Sequence, residues 1–173
     1  MKKFIPTYYA KNVYEVSLDF YRKHGIKTLL IDLDNTLASY RDREPSAETI
    51  KFVRNLETNG IRVLLASNNS GKREKRYAET LGIPYIAGAR KPLAYKMRKF
   101  LKNEGVDFNS LLMIGDQLLT DVFCANTLGV KIMLTDKLVN EDQWTTRINR
   151  LIDRPLRKRL QRKGKLKEWN QND

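Results

Sequence analysis

Short apolar runs alternate with amphipathic segments along most of the chain. The runs fall at residues 28–31, 61–66, 84–88, 111–115 and 130–135, without the polar alternation of half-exposed strands. Apolar residues between them recur at spacings of three and four, which is typical of helices with one buried face. Helices are predicted over residues 46–59, 71–82, 92–105, 120–129 and 141–152. The alternation predicts an α/β fold with a mainly parallel sheet covered by helices on both faces.

The composition favours a single globular domain. A chain of 173 residues, of which 41% are hydrophobic, is long enough to bury a sizeable core. The lone cysteine, Cys124, excludes an intrachain disulfide, indicates a reducing compartment and is expected to lie in the core. One cysteine and one histidine argue strongly against a zinc site of the Cys/His type. No apolar run approaches the ~18 residues that cross a membrane, so we expect a cytoplasmic protein.

Basic residues give the chain a net charge of +13 and concentrate near its end. From residue 154 onward eight cations stand against two acids, which gives a local charge of +6. We therefore divide the chain into a domain of residues 1–153 and a basic tail of residues 154–173. The tail is either solvated and partly disordered, or it binds an anionic partner. The partner we favour is an anionic membrane surface, and the alternative is nucleic acid.

Aromatic residues at both ends of the chain allow two interpretations. They either anchor the protein at a membrane interface or pack on the core, with the N-terminal ones forming a helix. Packing is favoured. The residues concerned are Phe4, Ile5, Tyr8, Tyr9, Tyr14 and Trp169.

Polar residues follow four predicted strands, at the ends where a parallel sheet binds its ligands. In chain order they are Asp32 and Asp34, Ser67 and Asn68, Lys91, and Asp116 and Asp121. Two aspartates one residue apart are costly to ionise when partly buried, so a bound cation is expected to neutralise them. Clustered carboxylates without histidine or cysteine suit Mg²⁺ above all, whereas a hydroxyl and an ammonium suit phosphate oxygens. These residues predict a site that holds a phosphoryl group between a metal and a lysine.

Four motifs together resemble a known family. DLDNT at 32–36, the serine at 67, the lysine before Pro92 and GDQLLTD at 115–121 match the four motifs of haloacid dehalogenase-like (HAD) phosphatases. Each motif alone is common, and their joint occurrence in this order, each after a strand, is specific. The match covers about residues 27–135. KKFIPTYYAKNVYEV and GDQLLTDV further resemble the YqeG-type enzymes of subfamily IIIA, which are related to phosphatidylglycerophosphate phosphatases.

The resemblance implies a Rossmann-like three-layer sandwich and a role for each matched residue. Asp32 is expected to be the nucleophile that forms an aspartyl-phosphate, and Asp34 the general acid and then the base. The Asp32 side chain, the Asp34 main-chain carbonyl and Asp116 are expected to hold Mg²⁺. The remaining expectations are phosphate binding by Ser67, Asn68 and Lys91, and supporting roles for Asp121 and Thr36. No role is predicted for Gln117. The alternative to a supporting role for Asp121 is that it is an exposed residue near a helix N-terminus.

The segments at 37–46 and 67–91 are too short for a cap domain, so the fold is expected to be capless. An open site suits a phosphate carried by a large substrate, unless a second subunit of a homo-oligomer acts as a lid. We expect phosphatidylglycerophosphate, whose lipid head group would bring the protein into peripheral contact with the inner face of the membrane. The alternatives are the same chemistry on a phosphoprotein, nucleotide or sugar phosphate, and a basic RNA- or ribosome-binding protein with a vestigial site.

Overall fold

Six parallel strands form one sheet at the centre of the protein. The computed structural model describes residues 2–139 and 144–171. The strands are β1 (Tyr8–Ala10), β2 (Thr28–Asp32), β3 (Arg62–Ala66), β4 (Tyr85–Ile86), β5 (Leu111–Gly115) and β6 (Lys131–Thr135). They lie in the order β1-β6-β5-β2-β3-β4, and every pairing is parallel. The predicted α/β fold around a parallel sheet is confirmed.

Helices cover both faces of this sheet. They are α1 (Leu18–Lys23), α2 (Ala47–Thr58), α3 (Lys72–Leu81), α4 (Tyr95–Asn103), α5 (Phe123–Leu128) and α6 (Trp144–Arg162). Successive side chains of a strand point to opposite faces, so β2 places Leu29 and Ile31 in one core cluster and Leu30 in the other. Side chains of α1, α2 and α3 complete the first cluster, and those of α4, α5 and α6 the second. The three-layer sandwich is confirmed, and Cys124 is buried in the second cluster, as predicted.

Two predicted helices differ from the structure at their N-terminal ends. The helix expected over 92–105 begins later, at the start of α4, because Leu93 N first donates to Arg90 O in a turn (2.9 Å). The helix expected over 120–129 is divided into a π-helical turn, Leu118–Val122, and α5. Both deviations lie directly after a polar strand end, where main-chain geometry follows the site rather than helix propensity.

The N-terminal segment is a strand rather than the expected helix. Tyr8 and Ala10 are buried and Tyr9 is half-buried, and the three residues pair with β6 at the edge of the sheet. A strand of three residues is too short for its period-two pattern to be recognised in the sequence. The favoured packing of the aromatic side chains is nevertheless confirmed, since Tyr8 belongs to the first core cluster and Tyr14 and Trp169 pack against it.

The basic tail begins inside a helix. α6 runs across residue 153 as far as Arg162, and Leu160 is buried in the second core cluster. Beyond α6 the chain returns to β1, where Tyr9 N donates to Lys167 O (2.7 Å) and Trp169 N donates to Tyr9 O (2.9 Å). The described part of the tail, residues 154–171, thus packs against the sheet. The first residues of the helix predicted over 141–152 lie outside the described residues. None of the described helices is both long and apolar enough to span a bilayer.

Two side chains of α6 hold the carboxyl-terminal ends of β5 and β6. Arg157 Nη2 donates to the main-chain carbonyls of Asp116 and Thr135, each at 2.9 Å. The Asp153 carboxylate, only 2% exposed, accepts a hydrogen bond from Leu118 N at 2.7 Å. Leu118 begins the π-helical turn, so Asp153 caps amides that have no partner within that turn. α6 therefore positions the segment that follows β5.

This cap predicts a measurable loss of stability. Asp153→Ala leaves a buried amide without its acceptor, so the free energy of unfolding should fall by about 2 kcal/mol. Asp153→Asn, which keeps an acceptor oxygen, should lose clearly less. Urea denaturation followed by circular dichroism measures both. The control Asp19→Ala, at an exposed ion pair with Arg22, should stay within about 0.5 kcal/mol of wild type. Equal stability of the two alanine variants would contradict the capping role.

Candidate active site

Asp32 lies at the carboxyl-terminal end of β2, in the middle of the sheet between β5 and β3. Its side chain is buried and accepts a hydrogen bond from Lys91 Nζ at 2.5 Å. The same ammonium donates to Asp121 Oδ1 at 2.7 Å, and the Lys91 side chain is 2% exposed. The structure thus brings Asp32, Lys91 and Asp121 together, although they lie far apart in the chain.

Asp116 completes a buried acidic cluster at this edge. Carboxylate oxygens of Asp32, Asp116 and Asp121 lie within 4.8 Å of one another. Three buried carboxylates so close together repel one another when they are ionised, and buried charge is costly. Hard cations prefer oxygen donors, and this set consists of carboxylate oxygens alone. The donor set therefore fits a divalent cation.

The electrostatics of Asp32 and Lys91 follow from their burial in this cluster. Burial raises the pKa of the Asp32 carboxyl well above its ordinary value; the Lys91 ammonium opposes the rise, whereas nearby carboxylates, Asp121 first, add to it. Burial by itself would lower the pKa of Lys91, but Asp121 and Asp32 outweigh it, and the pKa lies well above the ordinary value. Lys91 is therefore a permanent positive charge in the site.

Gly115 makes room for the Asp121 carboxyl. A Cβ atom at Gly115 would overlap the carboxyl group of Asp121. Asp121 is buried, and its Oδ2 also accepts from Gln117 N at 3.1 Å. The alternative interpretation of Asp121 as an exposed residue is therefore wrong. Because Gly115 has no side chain, the main chain at the end of β5 can pass close to Asp121, whose carboxylate holds Lys91.

Asn68 fixes the main chain of Lys91. Its Oδ1 accepts from Lys91 N at 2.7 Å, and its Nδ2 donates to Lys91 O at 3.0 Å. Both polar atoms of the Asn68 side chain thereby help to position Lys91, and the expected phosphate contact of Asn68 stays a prediction. Ser67 is buried after β3, and its Oγ accepts from Asn69 N at 3.1 Å, which leaves the hydroxyl hydrogen available to a ligand.

Asp34 is held by two side chains that the sequence did not single out. Arg73 Nη1 donates to its Oδ1 at 2.6 Å, and Asn69 Nδ2 donates to its Oδ2 at 2.8 Å. Arg73 also donates to the main-chain carbonyls of Asp42 and Ser39, which ties α3 to the loop after β2. Arg73 stands among several cations in the first turns of α3, so nothing in the sequence distinguishes it from its solvated neighbours.

Thr36 lies in the turn after Asp34. Asn35 N donates to Ala38 O at 2.7 Å, and Asn35 adopts a left-handed conformation with φ 65°, which asparagine tolerates better than most residues. Thr36 is buried, and its hydroxyl has no hydrogen-bond partner among the residues described. The structure therefore places Thr36 beside the site without connecting it to Asp34 by a hydrogen bond.

The connections at this edge of the sheet contain no inserted domain. Residues 33–46 link β2 to α2, residues 67–71 link β3 to α3, and residues 87–94 link β4 to α4, all without a helix or strand of their own. The site is consequently capless within these connections, as predicted.

Comparison with known proteins agrees with this fold. The family model described as "Mitochondrial PGP phosphatase" matches residues 1–139. The Bacillus subtilis protein "Probable phosphatase YqeG" is 32% identical over 170 residues, which are 98% of each chain. "Phosphatidylglycerophosphate phosphatase 1, chloroplastic/mitochondrial" of Arabidopsis thaliana is 27% identical over 175 residues. That match covers 92% of this chain and 49% of the Arabidopsis protein, so the chain spans about half of that relative's length.

A solved structure supports the same fold. A predicted HAD-like family hydrolase of Porphyromonas gingivalis has a TM-score of 0.54 at 15% identity, over 73% of this chain and 98% of the other. The fold and these relatives define a HAD superfamily phosphatase, a phosphoric monoester hydrolase. Within that class, the chain belongs to the mitochondrial PGP phosphatase family. The resemblance drawn from the four motifs is confirmed.

Two aspartates share the ammonium of Lys91, so we expect a large loss of stability when that charge is removed. Lys91→Met leaves a buried acidic cluster without its cation, so the metal-free protein should lose about 3 kcal/mol of its free energy of unfolding. Thermal and urea denaturation in EDTA measure the loss. Lys96→Met is the matched control, because Lys96 is exposed and lies in the same part of the chain. Lys91→Met with the stability of this control would show that the cluster does not depend on Lys91.

Proposed function

We propose that the enzyme is a Mg²⁺-dependent phosphomonoesterase that converts phosphatidylglycerophosphate to phosphatidylglycerol and inorganic phosphate through an aspartyl-phosphate on Asp32. The observation that carries the proposal is the contact of Asp32 with Lys91 inside the buried acidic cluster. Asp32 has the neighbours that an in-line attack on phosphorus requires. They are a fixed cation, Lys91, and two further carboxylates, Asp116 and Asp121.

The reaction takes place in two displacements. In the first, an Asp32 carboxylate oxygen attacks phosphorus, the phosphorus–ester oxygen bond breaks, and Asp34 gives its proton to the departing alkoxide. In the second, water attacks the aspartyl-phosphate, and Asp34 accepts a proton from that water. The phosphorus–Asp32 bond then breaks, which releases inorganic phosphate and regenerates both carboxyl groups for the next cycle.

The other residues stabilise the charge of the transferring group. Lys91 opposes that charge from a fixed position, because Asp121 holds its ammonium and Asn68 holds its main chain. The Ser67 hydroxyl donates to a phosphate oxygen. The Asp32 side chain, the Asp34 carbonyl and the Asp116 side chain would hold Mg²⁺, and the bound ion would further neutralise the phosphoryl charge.

Arg73 gives Asp34 its position. The Arg73–Asp34 ion pair at 2.6 Å has side chains that are each 18% exposed, so solvent screens it only in part. The ionised form is the one that accepts the proton of water in the second displacement. In the first displacement Asp34 carries a proton, and the attraction of Arg73 for it is then weaker, which leaves the carboxyl free to turn toward the leaving oxygen.

Three observations support the lipid as the substrate. The family model and the Arabidopsis relative both name phosphatidylglycerophosphate phosphatases. The connections after β2, β3 and β4 contain no cap domain, which suits a phosphate that stays attached to a large body. The net charge of +13 favours approach to a surface of anionic lipids.

Phosphate release tests the substrate and the nucleophile together. Phosphatidylglycerophosphate in mixed micelles should release phosphate with Mg²⁺ and not with EDTA, and Asp32→Asn should reduce the rate by roughly 10³-fold or more. Asp19→Asn, at an exposed carboxylate, should retain the wild-type rate. Hydrolysis of a soluble aryl phosphate without hydrolysis of the lipid would discard the lipid and keep the mechanism. No release from either, with tight and salt-sensitive RNA binding, would favour the binding-protein alternative.

Metal binding tests the ligand set independently of turnover. Asp116→Asn keeps the shape of the side chain and removes one negative charge, so affinity for Mg²⁺ should fall at least about 100-fold. Isothermal titration calorimetry on the purified protein measures this directly, and Asp19→Asn is again the control. An Asp116→Asn variant that binds Mg²⁺ like wild type would remove Asp116 from the ligand set.

A further inference from the structure

Four large apolar side chains of the described residues are strongly exposed. Their exposed fractions are 67% for Leu93, 78% for Tyr95, 73% for Leu151 and 56% for Ile152. They form two pairs, one before and at the start of α4 and the other in α6. Single exposed apolar residues are common on soluble proteins, but paired ones beside a site are typical of interaction surfaces.

Both pairs lie next to segments that build the site. Leu93 follows Lys91 by two residues, and the Lys91 ammonium contacts Asp32. Ile152 precedes Asp153, which accepts from the amide of Leu118 just after the end of β5. In the sheet, β2 lies between β5 on one side and β3 with β4 on the other. Each pair is therefore close in the chain to a residue that contacts a segment of the site, Lys91 for the first pair and Asp153 for the second.

The same two segments carry exposed positive charge. Arg90 and Lys96 stand beside the first pair, and Arg154 and Lys158 follow the second. Residues 89–103 and 154–167 contain no acidic residue, so no acid within either segment offsets these cations. A surface that combines exposed apolar side chains with exposed cations is complementary to the head groups and upper acyl chains of anionic lipids.

We propose that Leu93, Tyr95, Leu151 and Ile152, with the cations Arg90, Lys96, Arg154 and Lys158, form a membrane-docking rim that seats the site on an anionic bilayer. The inference rests on the proposed lipid substrate and adds the surface and residues that reach it. The apolar side chains enter the interface while the cations contact head groups, so that Asp32 faces the lipid phosphate. A second copy of the chain is disfavoured as the occupant, because a two-fold contact would bring the same cations against each other.

Co-sedimentation with vesicles of phosphatidylcholine, with and without phosphatidylglycerol, tests the rim. The wild-type protein should bind the anionic vesicles and leave the neutral ones. The double variants Leu93→Ser/Tyr95→Ser and Leu151→Ser/Ile152→Ser should each bind about tenfold more weakly, since each loses two interfacial apolar side chains. Both should hydrolyse a soluble aryl phosphate at the wild-type rate, which shows that the fold and the site are intact.

A charge-matched pair of variants separates the rim from a general electrostatic effect. Arg154→Gln/Lys158→Gln removes two cations from the rim, whereas Lys27→Gln/Lys102→Gln removes two exposed cations at the opposite edge, before β2 and in the last turn of α4. The first should weaken binding to anionic vesicles about tenfold and the second much less. Equal losses, or serine variants that bind like wild type, would overturn the proposal. So would a wild-type dimer that the serine variants convert to a monomer.

The vesicle assay contains no phosphomonoester, so its result is independent of catalysis. Vesicle binding that follows the rim residues, combined with no hydrolysis of phosphatidylglycerophosphate, would refute the proposed substrate and leave the docking rim standing. Rapid hydrolysis of the lipid by wild type and serine variants alike, on vesicles as in micelles, would support the substrate and refute the rim.

Discussion

One buried ammonium, shared by two aspartates that lie far apart in the chain, organises the catalytic edge. Lys91 contacts Asp32 at the end of β2 and Asp121 in the π-helical turn after β5, so it joins two strand ends across the centre of the sheet. Its own main chain is held by Asn68, which follows β3. The ends of β2, β3 and β5 are thereby held together around the Lys91 side chain. The loops that follow these strands adopt their geometry because the buried ammonium needs hydrogen-bond partners from the protein rather than from water.

The need to pair the buried ammonium of Lys91 also explains features that look unrelated in the sequence. Gly115 lacks a side chain because the Asp121 carboxyl occupies that space. The residues after β5 form a π-helical turn instead of a regular helix start, and a buried aspartate of α6 caps it. The helix that supplies this cap also supplies Arg157, which holds the carbonyl of Asp116. Packing on the second face of the sheet and the position of the acidic cluster are thus parts of one arrangement.

The fold and the members of the site were predictable to different degrees. The sheet and its acidic edge followed from the sequence, because buried parallel strands are continuous apolar runs and their carboxyl ends must meet. Arg73 and Asp153 were not predictable, since a charged residue on an amphipathic helix gives no sign that it points inward. The engagement of Asn68 with Lys91 depends on how two loops approach, which no local pattern records. The edge strand β1 was missed because three residues carry too little periodicity.

The pairing of β1 with residues 167–169 has a consequence for the order of folding. Tyr9 is synthesised before strands β2 to β6 and helices α1 to α6, and its main-chain partners Lys167 and Trp169 are synthesised after them. The outer edge of β1 is therefore uncovered while these elements leave the ribosome, and covering it closes the longest loop in the described structure. Arg157 likewise reaches the strand ends only late in synthesis. All six strands precede α6 in the chain, so the sheet can form before α6 docks and completes the carboxyl-terminal edge that holds Asp116.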